Sequence, residues 1–114
     1  PISPLKLSSH HCEIIIEAAM NGIGVNCVGM AMAGGSSPIH LAGTIVQQNA
    51  EILASLTLSQ LVKKGASFVY GNSTCPLDLR QATATVGSPE TGMISAAVSR
   101  LARYYSLPVF AAGG

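Results

Sequence analysis

The polar residues with chemistry to offer fall into two clusters, each just after an apolar run. In Ala33-Gly34-Gly35-Ser36-Ser37-Pro38, Gly34 and Gly35 leave backbone N–H groups unscreened beside the hydroxyls of Ser36 and Ser37, the make-up of an anion nest or a ligand-contacting loop. Plain turning and helix capping account for the same residues. Asn72, Ser73, Asp78 and Arg80 form the second cluster. An amide, a hydroxyl, a carboxylate and a guanidinium after a strand suit substrate or partner binding, or equally a local turn with a structural ion pair. Glu90 reads first as a carboxylate matching the dipole of a helix's first turn, with a place at the same rim as its second role.

Other reactive side chains read as structure. His10-His11-Cys12 has metal-ligand types, but adjacent helical positions face different ways and no second ligand pair follows, so no metal site is expected. Three cysteines, widely spaced and odd in number, are expected to stay reduced. Cys27 reads as a core thiol. Cys75, on a loop, is the thiol whose reactivity merits a test, although no neighbouring His or basic residue would activate it. Gln47, Gln48 and Asn49 sit between apolar residues of a helix, where contacts between helices are the expected use of buried amides.

The elements that must position these groups follow from periodicity. Val25 to Met30 is a short, partly β-branched run, and Leu41 to Val62 holds apolar residues at helical spacing (Leu41, Ile45, Ile52, Leu56 and Val46, Leu53, Leu61) before Lys63-Lys64-Gly65. Ser67 to Gly71 is the next strand, completing a βαβ unit. Ahead of it, Pro1 to Leu7 is expected to be extended. Ser8 or Ser9 caps a helix with the stripe Cys12, Ile15, Ile16, Ala19 and Met20, ended by Asn21-Gly22. Asn72 to Gly87 reads as an irregular loop with room for one helical turn. Ser88-Pro89-Glu90-Thr91 starts a helix with Ile94, Ala97 or Val98, Leu101 and Tyr105 inward, and Ser95, Ser99 and Arg103 outward. Val109 to Ala112 is a third strand running into Gly113-Gly114.

The order αβαβαβ predicts an α/β fold with parallel strands. Each helix-to-strand link is short, whereas the strand-to-helix links are about eight residues after Met30 and about seventeen after Gly71, against a usual two to six. In a parallel sheet both long loops share the rim at the strand C-terminal ends, where barrels and open sheets place binding and chemistry. Periodicity leaves an open doubly wound sheet and a slice of a (β/α)8 barrel equally open. Neither G-x-G-x-x-G nor a Walker lysine follows a strand, which weighs against nucleotide binding.

With 48% apolar and 10% charged residues among 114 and no Trp, the chain shows water less charge than a free-standing domain of its size. It reads as a piece of something larger, and a first residue of proline agrees. A net charge of +1 without a basic run gives no reason to expect nucleic acid or an anionic membrane as partner. No apolar run approaches the roughly 18 residues of a membrane span and no signal-peptide pattern opens the chain, so a cytoplasmic protein is expected.

Several motifs, in order, carry a family resemblance. They are Ala33 through Ser36-Ser37-Pro38-Ile39-His40-Leu41-Ala42-Gly43-Thr44-Ile45-Val46-Gln47-Gln48-Asn49-Ala50-Glu51, Val69-Tyr70-Gly71-Asn72-Ser73-Thr74-Cys75-Pro76-Leu77-Asp78-Leu79-Arg80, Gly87-Ser88-Pro89-Glu90-Thr91, and Ala102-Arg103-Tyr104-Tyr105-Ser106-Leu107-Pro108 to Gly113-Gly114. Nearly the whole chain resembles the trimethylamine methyltransferase family.

That resemblance implies a large (β/α)8 barrel, of which residues 1–114 are one partial segment, inactive alone. It implies transfer of a methyl group from a methylated amine to the cobalt of a corrinoid carried by a separate protein, in the one-carbon chemistry of methanogenesis. Trimethylamine members in methanogens carry pyrrolysine, and relatives lacking it act on quaternary amines such as glycine betaine. By the same resemblance the position that decides between these subgroups lies shortly after the match to Gly113-Gly114, and no catalytic residue is assigned within this segment. Substrate, partner or corrinoid contacts from this segment would come from Gly34, Gly35, Ser36, Ser37, Asn72, Ser73, Asp78, Arg80 and Glu90. The aromatics Phe68, Tyr70, Tyr104, Tyr105 and Phe110 are too few to cage a quaternary nitrogen alone. Unpaired strand edges lead us to expect a homo-oligomer. A different class of reading is a small α/β binding or assembly module whose rim holds a small anion.

Overall fold

A side chain opens two of the three helices by supplying an acceptor that the first turn lacks. In a computed structural model describing residues 1–113, Ser8 Oγ accepts from His11 N at the start of helix α1 (Ser9–Met20). Ser88 Oγ does the same for Thr91 N at the start of the last helix, where Pro89 fills the first position and Glu90 the first turn. The chain runs α1, β1 (Val25–Gly29), β2 (Met32–Ala33), α2 (Leu41–Val62), β3 (Phe68–Asn72), β4 (Cys75–Asp78), β5 (Thr83–Ala84), α3 (Pro89–Tyr104) and β6 (Val109–Ala111). Gly114, the end of the expected third strand's run, lies outside the described residues.

The fold is α/β, and its main sheet is parallel throughout in the order β1-β3-β6. Val25 pairs with Phe68 and Cys27 with Tyr70, while Tyr70 pairs with Val109 and Gly71 with Phe110. Paired residues share a face, and successive residues along a strand change face. Cys27, Phe68 and Tyr70 therefore point the same way, and they meet Ile52 of α2 and Ile94, Val98 and Ala102 of α3 in one buried cluster. Both crossover helices cover the same face of the sheet. The other face carries Asn26, Val28, Val69 and Phe110.

Several expectations need correction. Asn72 to Gly87 is not irregular: β4 pairs in parallel with β2 (Met32 with Cys75, Ala33 with Pro76) and antiparallel with β5 (Leu77 with Ala84, Asp78 with Thr83). Two-residue strands present too little alternation to be seen as pattern. Pro76 lacks an amide to contribute, yet its carbonyl accepts from both the amide and the hydroxyl of Thr85 at 3.0 and 2.9 Å. The lead-in is folded back rather than extended, with Ile2 and Lys6 exchanging backbone hydrogen bonds of 2.7 and 2.9 Å.

On α2 the expected apolar positions Val46 and Leu61 are exposed, as is Met20 on α1. Thr44, Gln48, Glu51, Ser55 and Ser59 are buried instead. Ser55 and Ser59 satisfy their hydroxyls on α2's own carbonyls of Glu51 and Leu56. Ser95 and Ser99 of α3, expected to face water, are half-buried.

Candidate functional site

The two loops that follow β1 and β3 lie against each other at the C-terminal side of the main sheet. The pairing of β2 with β4 joins them directly, and Ser73 N donates to Gly29 O at 2.8 Å just below. Their contact is packed as well as paired. A side chain at Gly34, whose φ is +84°, would meet Ile39 and Leu79, and one at Gly35 would meet Leu77 at 3.0 Å. Gly34 is thus held to glycine by its backbone angle, whereas a Cβ at Gly35 would press on the tip of the Leu77 side chain.

Most polar groups of the first loop are turned on the loop itself. Gly35 N and Ser37 N donate to Met32 O at 2.9 and 3.0 Å, Gly34 N to Ser37 O at 3.1 Å, and Met32 N to Ser36 Oγ at 3.0 Å. Ser37 Oγ meets Thr44 Oγ1 at 3.1 Å, and that hydroxyl donates to Pro38 O at 2.7 Å, tying the loop to the first turn of α2. Gln47 Nε2 holds the loop from the helix side through Ser36 O at 2.8 Å. These amides are engaged in a turn, the arrangement open to Gly34 to Ser37 that needs no ligand.

The second loop divides at Ser73. Asn72 is buried: its Oδ1 accepts from Thr74 N at 3.1 Å and its Nδ2 donates to Ser95 Oγ of α3 at 3.3 Å. Ser73 is half-buried between it and Thr74. Asp78 Oδ1 accepts from the backbone amides of Arg80 and Gln81 at 2.8 and 3.2 Å, an Asx turn that leaves the Arg80 side chain exposed. Asp78 and Glu90 share a rim cavity of about 400 Å³ with Ala33, Ile39, Leu77 and Ser88. The structure therefore brings Asp78 and Glu90 together beside the Gly34 loop and places Asn72 beneath it.

Gln48, expected as a buried amide, and Thr74, which sequence patterns did not single out, hold this rim from below. Gln48, 0% exposed, donates from Nε2 to Gly71 O at 3.0 Å and accepts at Oε1 from Thr74 Oγ1 at 3.0 Å. Thr74, also 0% exposed, accepts at the same hydroxyl from Ala31 N at 3.2 Å. Gly29 has no Cβ because the Gln48 amide fills that space. Gln47, Gln48 and Asn49 are expected to join helices, and Asn49 does so at the C-cap of α3, whereas Gln47 and Gln48 do not. Gln47 and Gln48 reach rim backbone, and Asn49 reaches Tyr105 OH at 3.0 Å beyond α3 and Tyr70 OH at 2.9 Å in β3. Every buried side-chain polar atom among the described residues has a partner.

Glu51 is the other missed residue. Its buried carboxylate accepts from Ser3 Oγ at 2.7 Å, Leu5 N at 2.9 Å and Gln47 Nε2 at 3.1 Å, latching the lead-in to α2. Sequence offered one signal, a lone carboxylate in a 22-residue helix with no other charge. Burial pushes the Cys75 thiol above its usual 9.0, so this buried cysteine is poorly suited to nucleophilic work. Burial, with Tyr105 adding to it, likewise raises the Tyr70 phenol well above its usual 10.0. His11 Nδ1 lies 2.6 Å from Ser8 Oγ, in the cap of α1, and no group of three or more His, Cys, Asp or Glu side chains comes together among the described residues. No helix among them is long and apolar enough to cross a membrane.

Comparison with known proteins gives the site its context. The family model described as trimethylamine methyltransferase (MTTB) matches residues 1–114. A trimethylamine methyltransferase of Methanosarcina mazei is 56% identical over 113 residues, covering 99% of this chain and 23% of the relative. One from Desulfitobacterium hafniense is 53% identical over 114 residues, 100% of this chain and 23% of the relative. A glycine betaine methyltransferase of the same species is 34% identical over 113 residues, 99% of this chain and 24% of the relative. The chain thus spans about a quarter of the length of these curated relatives.

Proposed function

Because this chain belongs to the trimethylamine methyltransferase family, we propose that it forms one segment of an enzyme that takes a methyl group from a methylated amine. The acceptor in this reading is the cobalt of a corrinoid carried by a partner protein. The observation that carries the proposal is the rim: two loops at the C-terminal ends of parallel strands, joined by their own strand pairing and braced from beneath. Identity of 56% with a trimethylamine relative, against 34% with a glycine betaine relative, favours trimethylamine as donor.

The fuller architecture we infer is a (β/α)8 barrel. Three strands in sequential order with both crossover helices on one face are what a barrel sector looks like, with Asn26, Val28, Val69 and Phe110 turned toward its interior. Parallel sheets are covered on both faces, and the additional length of the relatives is available to close this one. The open edges of β1 and β6 also support contact with further chain or with a second copy in a homo-oligomer.

In this reading cobalt(I) would supply the electron pair of the new bond to the methyl carbon, and the pair of the breaking C–N bond would stay with a nitrogen already made quaternary, so that a neutral amine leaves. This chain's part is to shape the mouth at which the partner docks. The rim fits a protein-borne macrocycle because it is open and presents the exposed apolar side chains of Ile39 and Leu79. Phe110, 46% exposed, is the aromatic of the bare sheet face and offers a surface that attracts an alkylated nitrogen cation. Holding that nitrogen in line with the metal is the positioning task, and rigid loops serve it.

The test is methyl transfer by the full-length protein to a cobalt(I) corrinoid protein, followed by the corrinoid's absorbance, with trimethylamine and glycine betaine offered separately. Transfer from trimethylamine is expected. Failure with both donors would overturn the reading, and transfer from glycine betaine alone would overturn the choice of donor.

A further inference from the structure

Apolar packing fixes proximity, whereas hydrogen bonds also fix direction. The polar groups buried below the rim make that distinction useful. Thr74 bonds both loops and the helix behind them through one hydroxyl, accepting from Ala31 N in the first loop and donating to Gln48 Oε1 of α2. Its amide donates to Asn72 Oδ1, and Asn72 in turn reaches Ser95 of α3. Both loops and α2 therefore meet at a single residue that is 0% exposed, and α3 joins through Asn72.

We propose that Thr74 is a positioning residue for methyl transfer, setting the first rim loop against the second without touching substrate or corrinoid. This rests on reading the rim as the methyltransferase mouth. An uncharged network with every member satisfied holds one geometry rather than several. A rim free to shift by about 1 Å would lose alignment in the transition state, an effect on the order of 100-fold in rate. Substrate affinity is less sensitive, since the ground state tolerates looser placement.

Thr74→Val keeps the side chain's shape and removes the hydroxyl, and Thr74→Ser keeps the hydroxyl. In the full-length protein, Thr74→Val is expected to lower kcat per folded molecule by about 10- to 100-fold, with KM changed by less than about threefold. Thr74→Ser is expected to recover most of the loss. Amide exchange at Ala31 should quicken by at least about tenfold in the valine variant. An unchanged kcat with only a lower Tm would overturn the proposal, as would equal losses in both variants. Should the valine variant fail to fold, Ser95→Ala, at the half-buried end of the same network, takes its place, and a kcat equal to wild type there overturns the proposal. If the unsubstituted protein transfers no methyl group, the parent reading falls; Ala31 exchange then decides loop coupling by itself, unchanged exchange overturning it.

Discussion

Two buried layers of this chain lie side by side and are made of opposite materials. Against the sheet, Ile52, Ile94, Val98, Phe68 and Tyr70 pack an apolar cluster. Toward the rim, Gln48, Asn72 and Thr74 are as deeply buried but joined by hydrogen bonds. Apolar burial stabilises in proportion to area and with little regard for direction. A buried hydrogen bond contributes modestly on net, yet leaving one partner bare costs much more. The first layer therefore supplies stability and the second a fixed arrangement. The polar layer sits where parallel strands end and loops begin, the place at which α/β proteins bind their ligands.

Removing mass from the apolar layer should give the largest loss. Ile52→Ala is expected to cost about 2–5 kcal/mol of unfolding free energy, read by urea denaturation of the full-length protein, with activity falling only as the folded fraction falls. A loss below about 1 kcal/mol would mean that the site collapses freely and the two layers differ less than their composition suggests. Gln48→Leu comes next, at about 1–3 kcal/mol, because Gly71 O loses its side-chain donor and the Thr74 hydroxyl its acceptor. Hydrogen exchange should place that damage in the two rim loops. If exchange quickened instead across the whole sheet, the polar layer would be part of the core and the comparison would break.

The apolar layer was legible in the sequence, whereas in the polar layer Gln48 and Asn72 stood out by type but their partners did not. Apolar spacing marks Leu41, Ile45, Ile52 and Leu56, all of which pack against the sheet cluster. Ser88-Pro89-Glu90 marks the start of α3 because its three residues satisfy local needs of a first helical turn. The apolar neighbours of Gln48 mark it as buried, but Thr44, Glu51, Ser55 and Ser59 carry no such mark, since polar residues at helical spacing ordinarily face water. Their burial is decided by partners far along the chain, such as Ser3 for Glu51 and Gly71 for Gln48. Likewise β2 and β4 exist because two loops meet, and neither has the length to declare itself alone. Of the rim residues singled out by type, Asn72 turned out to be a brace, whereas Asp78 and Glu90 do line a cavity.

Tyr70 belongs to both layers, its ring in the apolar cluster and its hydroxyl on Asn49 Oδ1 at 2.9 Å. Tyr70→Phe should cost about 1 kcal/mol at neutral pH. The pH dependence sharpens the assignment. Tyr70 and Cys75 are neutral when protonated, and burial raises both above their usual 10.0 and 9.0. The folded state thus holds these protons more tightly than the unfolded chain, so the associated stability is complete below about pH 9 and is lost as pH rises beyond it. The urea midpoint should fall between pH 8 and pH 10.5, and less steeply in Tyr70→Phe. An equal slope would mean that the phenol is not held in the apolar layer.

The smallest stability effect should come from Asp78→Asn, and it separates frame from site. Asp78 Oδ1 receives the amides of Arg80 and Gln81, and asparagine keeps that acceptor while discarding the charge. The turn should persist and the unfolding free energy should change by less than about 0.5 kcal/mol, since the substitution keeps the acceptor and the shape. Methyl transfer then reports on the charge alone. An activity within about twofold of wild type would leave Asp78 as a turn residue, and the rim's role would rest on geometry supplied by the layer beneath. A fall of about tenfold or more with stability unchanged would instead mean that the carboxylate in the cavity beside Glu90 meets the donor or the docked partner. The rim would then contribute contacts of its own, and the division of labour between the two buried layers would need a third, exposed member.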